Sequence, residues 1–348
     1  KKWNFYNSQM IKKRQLLYSM ALSFLFMNQI MGQEDYFLHQ SRFMQKSNSS
    51  YFGMNSVNKV GVLYNSLSIN ETERIDNKYA FAAVSFEENK FSLGFDLNSL
   101  NVESIGLVKS IFNFTYIYKI QASNKSFFLL ALSIGVGSSS MNLDNLIFED
   151  QLDAAIGSIS TETIDPLGEL ISNVNYFDLG VSLIYHNDLY ILGLSIKHIN
   201  QPNTSFNKES DYKKPLGISL LGGYEFDLNP YERNFLPRYS YLLAYGTVSK
   251  YDNILYMNLE QDVQFGQFSF GLNQQLSNDA SFNINNIGLT AGLSYENFEF
   301  GAGYNFAIRT IDKIFSPSVF EIFVAFNFSK YRRNQRGVFK HLQTDNYY

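Results

Sequence analysis

The stretch Asn297–Ile308 (Asn-Phe-Glu-Phe-Gly-Ala-Gly-Tyr-Asn-Phe-Ala-Ile) narrows the possible folds more than any other part of the chain. Phe298, Phe300, Ala302, Tyr304, Phe306 and Ile308 fall at every second position, with small or polar residues between them. A period of two puts one set of side chains on each face of a β-strand. The bulky set shares one face, and Glu299, Gly301, Gly303 and Asn305 share the other. A soluble sandwich would bury the aromatic face and turn Lys, Glu and Thr toward water. Here the second face is mostly Gly, Ser and Asn, as in a barrel with a greasy exterior in lipid and a polar lumen.

The alternation returns along most of the chain. Phe91, Leu93, Phe95 and Leu97 interleave with Ser92, Gly94, Asp96 and Asn98. Phe177, Leu179, Val181, Leu183 and Tyr185 interleave with Asp178, Gly180 and Ser182, and the pattern repeats from Ile287 to Tyr295. Segments of the length a tilted barrel strand needs, roughly nine to eleven residues or a little more, lie near 57–69, 78–87, 90–99, 111–122, 125–138, 175–186, 189–199, 215–228, 237–248, 254–263, 266–276, 286–295, 297–308 and 318–328. They predict an all-β transmembrane outer-membrane β-barrel of about 14 antiparallel strands in an up-and-down meander.

The connections point the same way. Glu87–Asn89, Ser123–Lys125, His186–Asp188, Phe265–Gln267 and Glu296–Asn297 are tight turns on one rim, with 229–236 of middling length. The segments 139–174 and 200–214 are long loops on the other rim. Outer-membrane barrels have short periplasmic turns and longer external loops, and an even strand number leaves both chain ends in the periplasm. Phe320, Ile322, Val324, Phe326 and Phe328 form the closing strand.

Outside the barrel, residues 1–9 carry no pattern. From Met10, the basic Lys12, Lys13 and Arg14 precede an apolar run from Leu16 to Met27, and small Gly32 precedes Gln33. That is the layout of a secretory signal peptide over 10–32, too short in its apolar part to span a bilayer. The expected organisation is a leader (1–32), a periplasmic N-terminal segment (33–56), the barrel (57–328) and a basic periplasmic tail (329–348). Segment 33–56 is long enough to enter a lumen whose inward residues, such as Gly217, Ser219, Gly223 and Glu225, are mostly small or polar.

Charged residues are only 17% of the chain and the net charge is −4, which gives no pull toward nucleic acid. Cysteine is absent, so disulfides and thiolate metal sites are excluded. His39, His186, His198 and His341 have no metal-ligand spacing, and no G-x-S-x-G, P-loop or H-E-x-x-H occurs. His186 falls in an expected turn and reads as solvated. No cofactor, metal or catalytic residue is assigned, and Ser195 with His198 is too ordinary a pair to argue for an enzyme. Between Lys125 and Lys197 there is no Lys or Arg, while the long loop holds Asp144, Glu149, Asp150 and Asp153. Leu143, Ile147, Leu152 and Ile156 are spaced as on a short amphipathic helix. These four acids, with Arg332, Arg333 and Arg336 of the tail, are the candidate partner-docking residues.

The piece Tyr190-Ile-Leu-Gly-Leu-Ser-Ile-Lys-His-Ile-Asn-Gln-Pro202 resembles the strand-and-loop signature of the PorP/SprF proteins of type IX secretion in Bacteroidetes. Leu221–Phe226, Leu236-Pro237, Tyr304–Phe306 and Phe320–Ile322 follow in the family's order, so the similarity covers essentially the whole mature chain. The chain reads as a divergent member. The family's Asn-Pro-Ala-Tyr-Ala-Gly stands here as Asn48-Ser-Ser-Tyr-Phe-Gly53, its following Arg and Trp as Asn65 and Leu67, and a common Asp as Ala307. The resemblance implies an outer-membrane component of type IX secretion or gliding. Its implied partners are lipid, other secretion components, and a secreted cargo or adhesin C-terminal domain. The alternative reading of the residues is a diffusion channel or hydrophobic-substrate transporter.

Overall fold

The computed structural model describes residues 37–56, 58–68, 74–86, 90–103, 106–141, 152–153, 158–159, 172–207, 211–231, 235–237, 240–251, 254–278, 282–308, 318–328 and 342. Fourteen strands follow one another around a closed wall. In chain order they are β1 (Lys59–Ser68), β2 (Arg74–Phe86), β3 (Phe91–Val102), β4 (Leu107–Ser123), β5 (Ser126–Met141), β6 (Asn173–Asn187) and β7 (Tyr190–Lys197). The second half is β8 (Gly217–Asp227), β9 (Ser240–Tyr251), β10 (Ile254–Phe265), β11 (Phe268–Asn278), β12 (Phe282–Tyr295), β13 (Phe298–Ala307) and β14 (Ser318–Asn327).

Each strand pairs antiparallel with its sequence neighbours, and β1 closes on β14 from Lys59↔Asn327 to Ser68↔Ser318. Closure matters because lipid offers backbone N–H and C=O groups nothing to bond, so an open edge cannot survive there. Among the described residues no helix is long and apolar enough to cross a membrane; the strands make the crossing.

The two faces divide as the period of two requires. Val62, Val136, Leu192, Leu289 and Phe306 are among the large apolar residues exposed on the outside. Asn65, Thr115, Ser182, Asn273, Asn305 and Glu321 are buried inward. The short turns 124–125, 188–189, 266–267 and 296–297 share one rim, which by the loop-length rule is periplasmic.

Several strands outrun their apolar pattern at the outer rim. β2 starts at Arg74, not near 78; β4 starts at Leu107, not near 111; β5 continues to Met141 through Ser138–Ser140. Lipid-facing periodicity reports the thickness of the bilayer, while the hydrogen-bonded ladder continues into water. β9 begins later than expected, at Ser240, because Pro237 has no N–H to give a ladder; its carbonyl instead accepts from Ser240 Oγ at 2.8 Å.

Two expectations are corrected. Within the loop read as a helix, Leu152–Asp153 is extended and pairs antiparallel with Ser158–Ile159. So short an apolar run does not fix a period. His186 is not solvated in a turn: it lies on β6, is 1% exposed and stacks on Phe127 at 5.6 Å. Its place in the inward-facing set, two residues after Ile184, outweighs its nearness to the turn.

The wall assignment makes a direct prediction. Ile322 is exposed mid-strand on β14 beside Ala302, so Ile322→Arg is expected to lower stability in lipid vesicles by about 2–4 kcal/mol. Urea unfolding measures it, and a loss under about 0.5 kcal/mol would contradict a lipid-facing position.

Candidate functional site: the plugged lumen

Phe37–Ser56 runs inside the barrel. It contains a single helical turn, α1 (Met44–Ser47), and a 3-10 stretch over Ser49–Ser56. Residues 37–46, together with Asn48, Ser50 and Phe52, are buried. The segment is gripped by polar groups from around the wall.

On β14, Glu321 accepts from Leu38 N (2.8 Å), His39 N (2.9 Å), His39 Nδ1 (2.6 Å) and Asn65 Nδ2 (3.0 Å). A carboxylate only accepts, so His39 Nδ1 carries the proton. On β10, Glu260 accepts from Ser41 N at 2.6 Å and Ser41 Oγ at 2.9 Å. Thr247 Oγ1 donates to Gln40 Oε1 and Asn273 Nδ2 to the Leu38 carbonyl. Across the lumen, Lys46 Nζ donates to Asn98 Oδ1, and Lys197 Nζ to the Lys46 carbonyl.

Apolar packing fixes the middle of the plug. Phe43 meets Tyr79, Phe81 and Phe323 edge-on, with ring centroids 5.0–6.3 Å apart. Two wall glycines make room. A Cβ on Gly94 would run into the Phe52 ring, and one on Gly193 would lie 2.8 Å from Asn48 Nδ2. Asn48 Nδ2 donates to the carbonyls of Leu183 and Leu194, and Ser50 N donates to Ser182 Oγ. Two distant motif pieces, Asn48–Gly53 and Tyr190–Pro202, therefore meet here: one is the plug and the other is its socket.

Toward the periplasmic rim, Arg42 donates to Ser269 Oγ (2.8 Å) and Gln264 Oε1 (3.2 Å), and pairs with Asp262 and Glu299. Burial works against its charge, but the carboxylates of Asp262, Glu299 and Glu260 prevail and raise its pKa. Lys59 Nζ joins Glu299 at 3.0 Å and ties the start of the wall into the same network. Leu342, in the basic tail, is buried with its N–H 3.3 Å from Glu225 Oε2. That contact is made to the chain's own barrel.

Above the plug, on the long-loop side, is a cavity of about 710 Å³. Its wall includes Asp178 and His198, whose Oδ2 and Nδ1 are 2.6 Å apart. His198 has φ +58 and ends β7; beyond it Ile199 N and the Asn200 side chain bond β6 in place of a ladder. The His of the signature strand thus shapes the outer end of the wall. Among the described residues no group of three or more His, Cys, Asp or Glu is placed to hold a metal ion.

The candidate docking residues are not brought together. Asp153 lies in the small pairing within the long outer loop. Asp144, Glu149, Asp150, Arg332, Arg333 and Arg336 lie outside the described residues. Sequence reading missed His39, Arg42, Glu260 and Glu321. The available signal was the inward phase of Glu260 and Glu321, charged groups that a buried face tolerates only with partners.

Type IX secretion system membrane protein PorP/SprF is the family that matches, over residues 32–326. The chain belongs to the PorP/SprF family. Among solved structures, the TodX monoaromatic hydrocarbon channel deltaS2 mutant is similar at a TM-score of 0.51 and 9% identity, covering 82% of this chain and 94% of that one. The TodX deltaS2S3 mutant follows at 0.50 and 10%, covering 84% and 94%. The toluene transporter TbuX of Ralstonia pickettii scores 0.48 at 10%, covering 79% and 90%. At such identity the likeness is one of fold. No curated protein matches the chain in sequence.

The plug's seat can be probed because the chain has no cysteine of its own. Met44 is 0% exposed, so Met44→Cys in the folded barrel is expected to resist a maleimide. Adding Glu321→Ala removes the anchor of Leu38 and His39, at a cost of about 3–5 kcal/mol for a broken buried charge contact, and is expected to make the thiol react. Equal, fast labelling in both backgrounds would show that the segment is not seated.

Proposed function

We propose that this protein is a partner-binding component of the type IX secretion machinery, which helps export or anchor a secreted surface protein of adhesin type. One observation carries the reading: a family match over 32–326 falls on a barrel whose lumen is filled by its own chain. A filled lumen fits a protein that holds a partner at its rims better than one that passes solutes through its centre. Its role is binding, not catalysis, and it acts in the outer membrane after export through a signal peptide over 10–32. The acids Asp144, Glu149, Asp150 and Asp153 offer an external contact, and Arg332, Arg333 and Arg336 a periplasmic one.

The second reading, a channel for small hydrophobic molecules, draws on the fold shared with the TodX channel structures. The charged, hydrogen-bonded plug speaks against it as the barrel stands.

The test is the secreted and surface proteome of a strain lacking the gene, compared with its parent. Loss of one large surface protein is expected for a dedicated exporter, and loss of many substrates for a general one. An unchanged proteome would overturn the export reading and bring the channel forward.

A further inference from the structure

On β10 the inward set is Tyr256, Asn258, Glu260, Asp262 and Gln264, all buried. The alternate residues therefore face the lipid: Leu255, Met257, Leu259, Gln261, Val263 and Phe265. Five of these six are apolar and Gln261 is not. On β11 the outward set is Phe268, Phe270, Leu272, Gln274 and Leu276, and Gln274 breaks the pattern in the same way. The two glutamines meet on the outside of the wall. Gln274 Nε2 donates to Gln261 Oε1 at 2.8 Å, and Gln261 Nε2 donates to Gln274 Oε1 at 3.3 Å.

The pair lies mid-wall, with apolar residues above and below it on both strands. At the same rungs, the neighbouring strands present Ala244 opposite Gln261 and Ile287 opposite Gln274. A primary amide has two N–H donors and two acceptor lone pairs. The reciprocal pair uses one of each per side chain, and among the described residues neither glutamine has a further bond. One N–H and one lone pair on each are thus left facing hydrocarbon, which cannot bond them and makes such groups costly.

The surface around the pair is uneven. On the β8–β9 side the outward residues are small: Gly222 pairs with Gly246, and Ala244 follows. A Cβ on Gly222 would meet, among the described residues, only Leu192 Cδ2, in ordinary contact at 3.6 Å. Packing within the chain therefore does not require a glycine there, and the hollow is open to the outside. On the other side Phe270 and Leu289 stand out from the wall, 55% and 56% exposed.

We propose that the outer face of β8–β12 is an interface, within the plane of the membrane, with a second copy of this chain. The unmet groups are self-complementary, N–H beside carbonyl, so a copy turned about a two-fold axis at the glutamine pair brings donor to acceptor. The same rotation sets the Phe270 ridge of each copy toward the small-residue hollow of the other. Two-fold contacts of this isologous kind are the commonest in homo-oligomers, and small residues with polar hydrogen bonds are what hold protein surfaces together in lipid, where burial of apolar area gives no drive.

The experiment uses the full-length barrel in lipid vesicles, with one cysteine placed in an exposed periplasmic turn. Gln267→Cys lies below the proposed interface, and Asn124→Cys lies on the far side of the barrel. Donor- and acceptor-labelled copies are mixed and energy transfer is read as lipid is added. Transfer at Gln267→Cys is expected to persist on dilution and to exceed that at Asn124→Cys at least fivefold. Gln261→Leu with Gln274→Leu is expected to reduce it at least tenfold while heat-modifiable migration on gels stays unchanged. Transfer that dilutes to background, equal transfer from the two turns, or undiminished transfer in the folded double variant would overturn the proposal. So would a photoreactive residue at 259 that, in native outer membrane, joins the barrel to a different protein and not to a second copy.

Discussion

Two carboxylates inside the barrel, Glu321 and Glu260, set the terms for the rest of the structure. A carboxyl group sealed from water is too costly to leave without hydrogen-bond partners. Among the described residues the wall gives Glu321 one neutral donor, Asn65 Nδ2. The N-terminal segment brings the Leu38 and His39 backbone N–H groups and the His39 ring to Glu321, and Ser41 to Glu260. Plug and wall complete each other: the segment's donors meet the inward carboxylates of the wall. The apolar contacts of Phe43 and Phe52 then fill the space the wall glycines leave.

The same dependence divides the interior. Below, the Arg42, Asp262, Glu299 and Lys59 network ties plug and first strand to the periplasmic rim. Above, the lysine-lined cavity faces the long loops. The seated segment therefore lies between the periplasmic network and the outer cavity.

Much of the wall was legible in the sequence. The alternation around Phe300 and Leu293 follows from the demand of lipid for apolar side chains, so the strand phase and the up-and-down order could be read directly. Strand ends at Arg74, Leu107 and Met141 could not, because beyond the bilayer the ladder continues with no apolar pattern to mark it. The plug was half legible. Small inward residues signalled space, but only the fold shows that Asn48 reaches the Leu183 and Leu194 carbonyls across more than a hundred residues of chain. Long-range pairing of a polar group with backbone leaves no periodic trace. His186 misled for a related reason, since a residue beside a turn can still point into the core.

The central claim is that the chain closes its own lumen, and electrical recording tests it most directly. The intact barrel and a form lacking 37–56 would be compared in planar bilayers at equal amounts of folded protein. The account predicts a silent intact barrel and discrete conductance steps once the segment is removed. Steady, large steps from the intact barrel would contradict it.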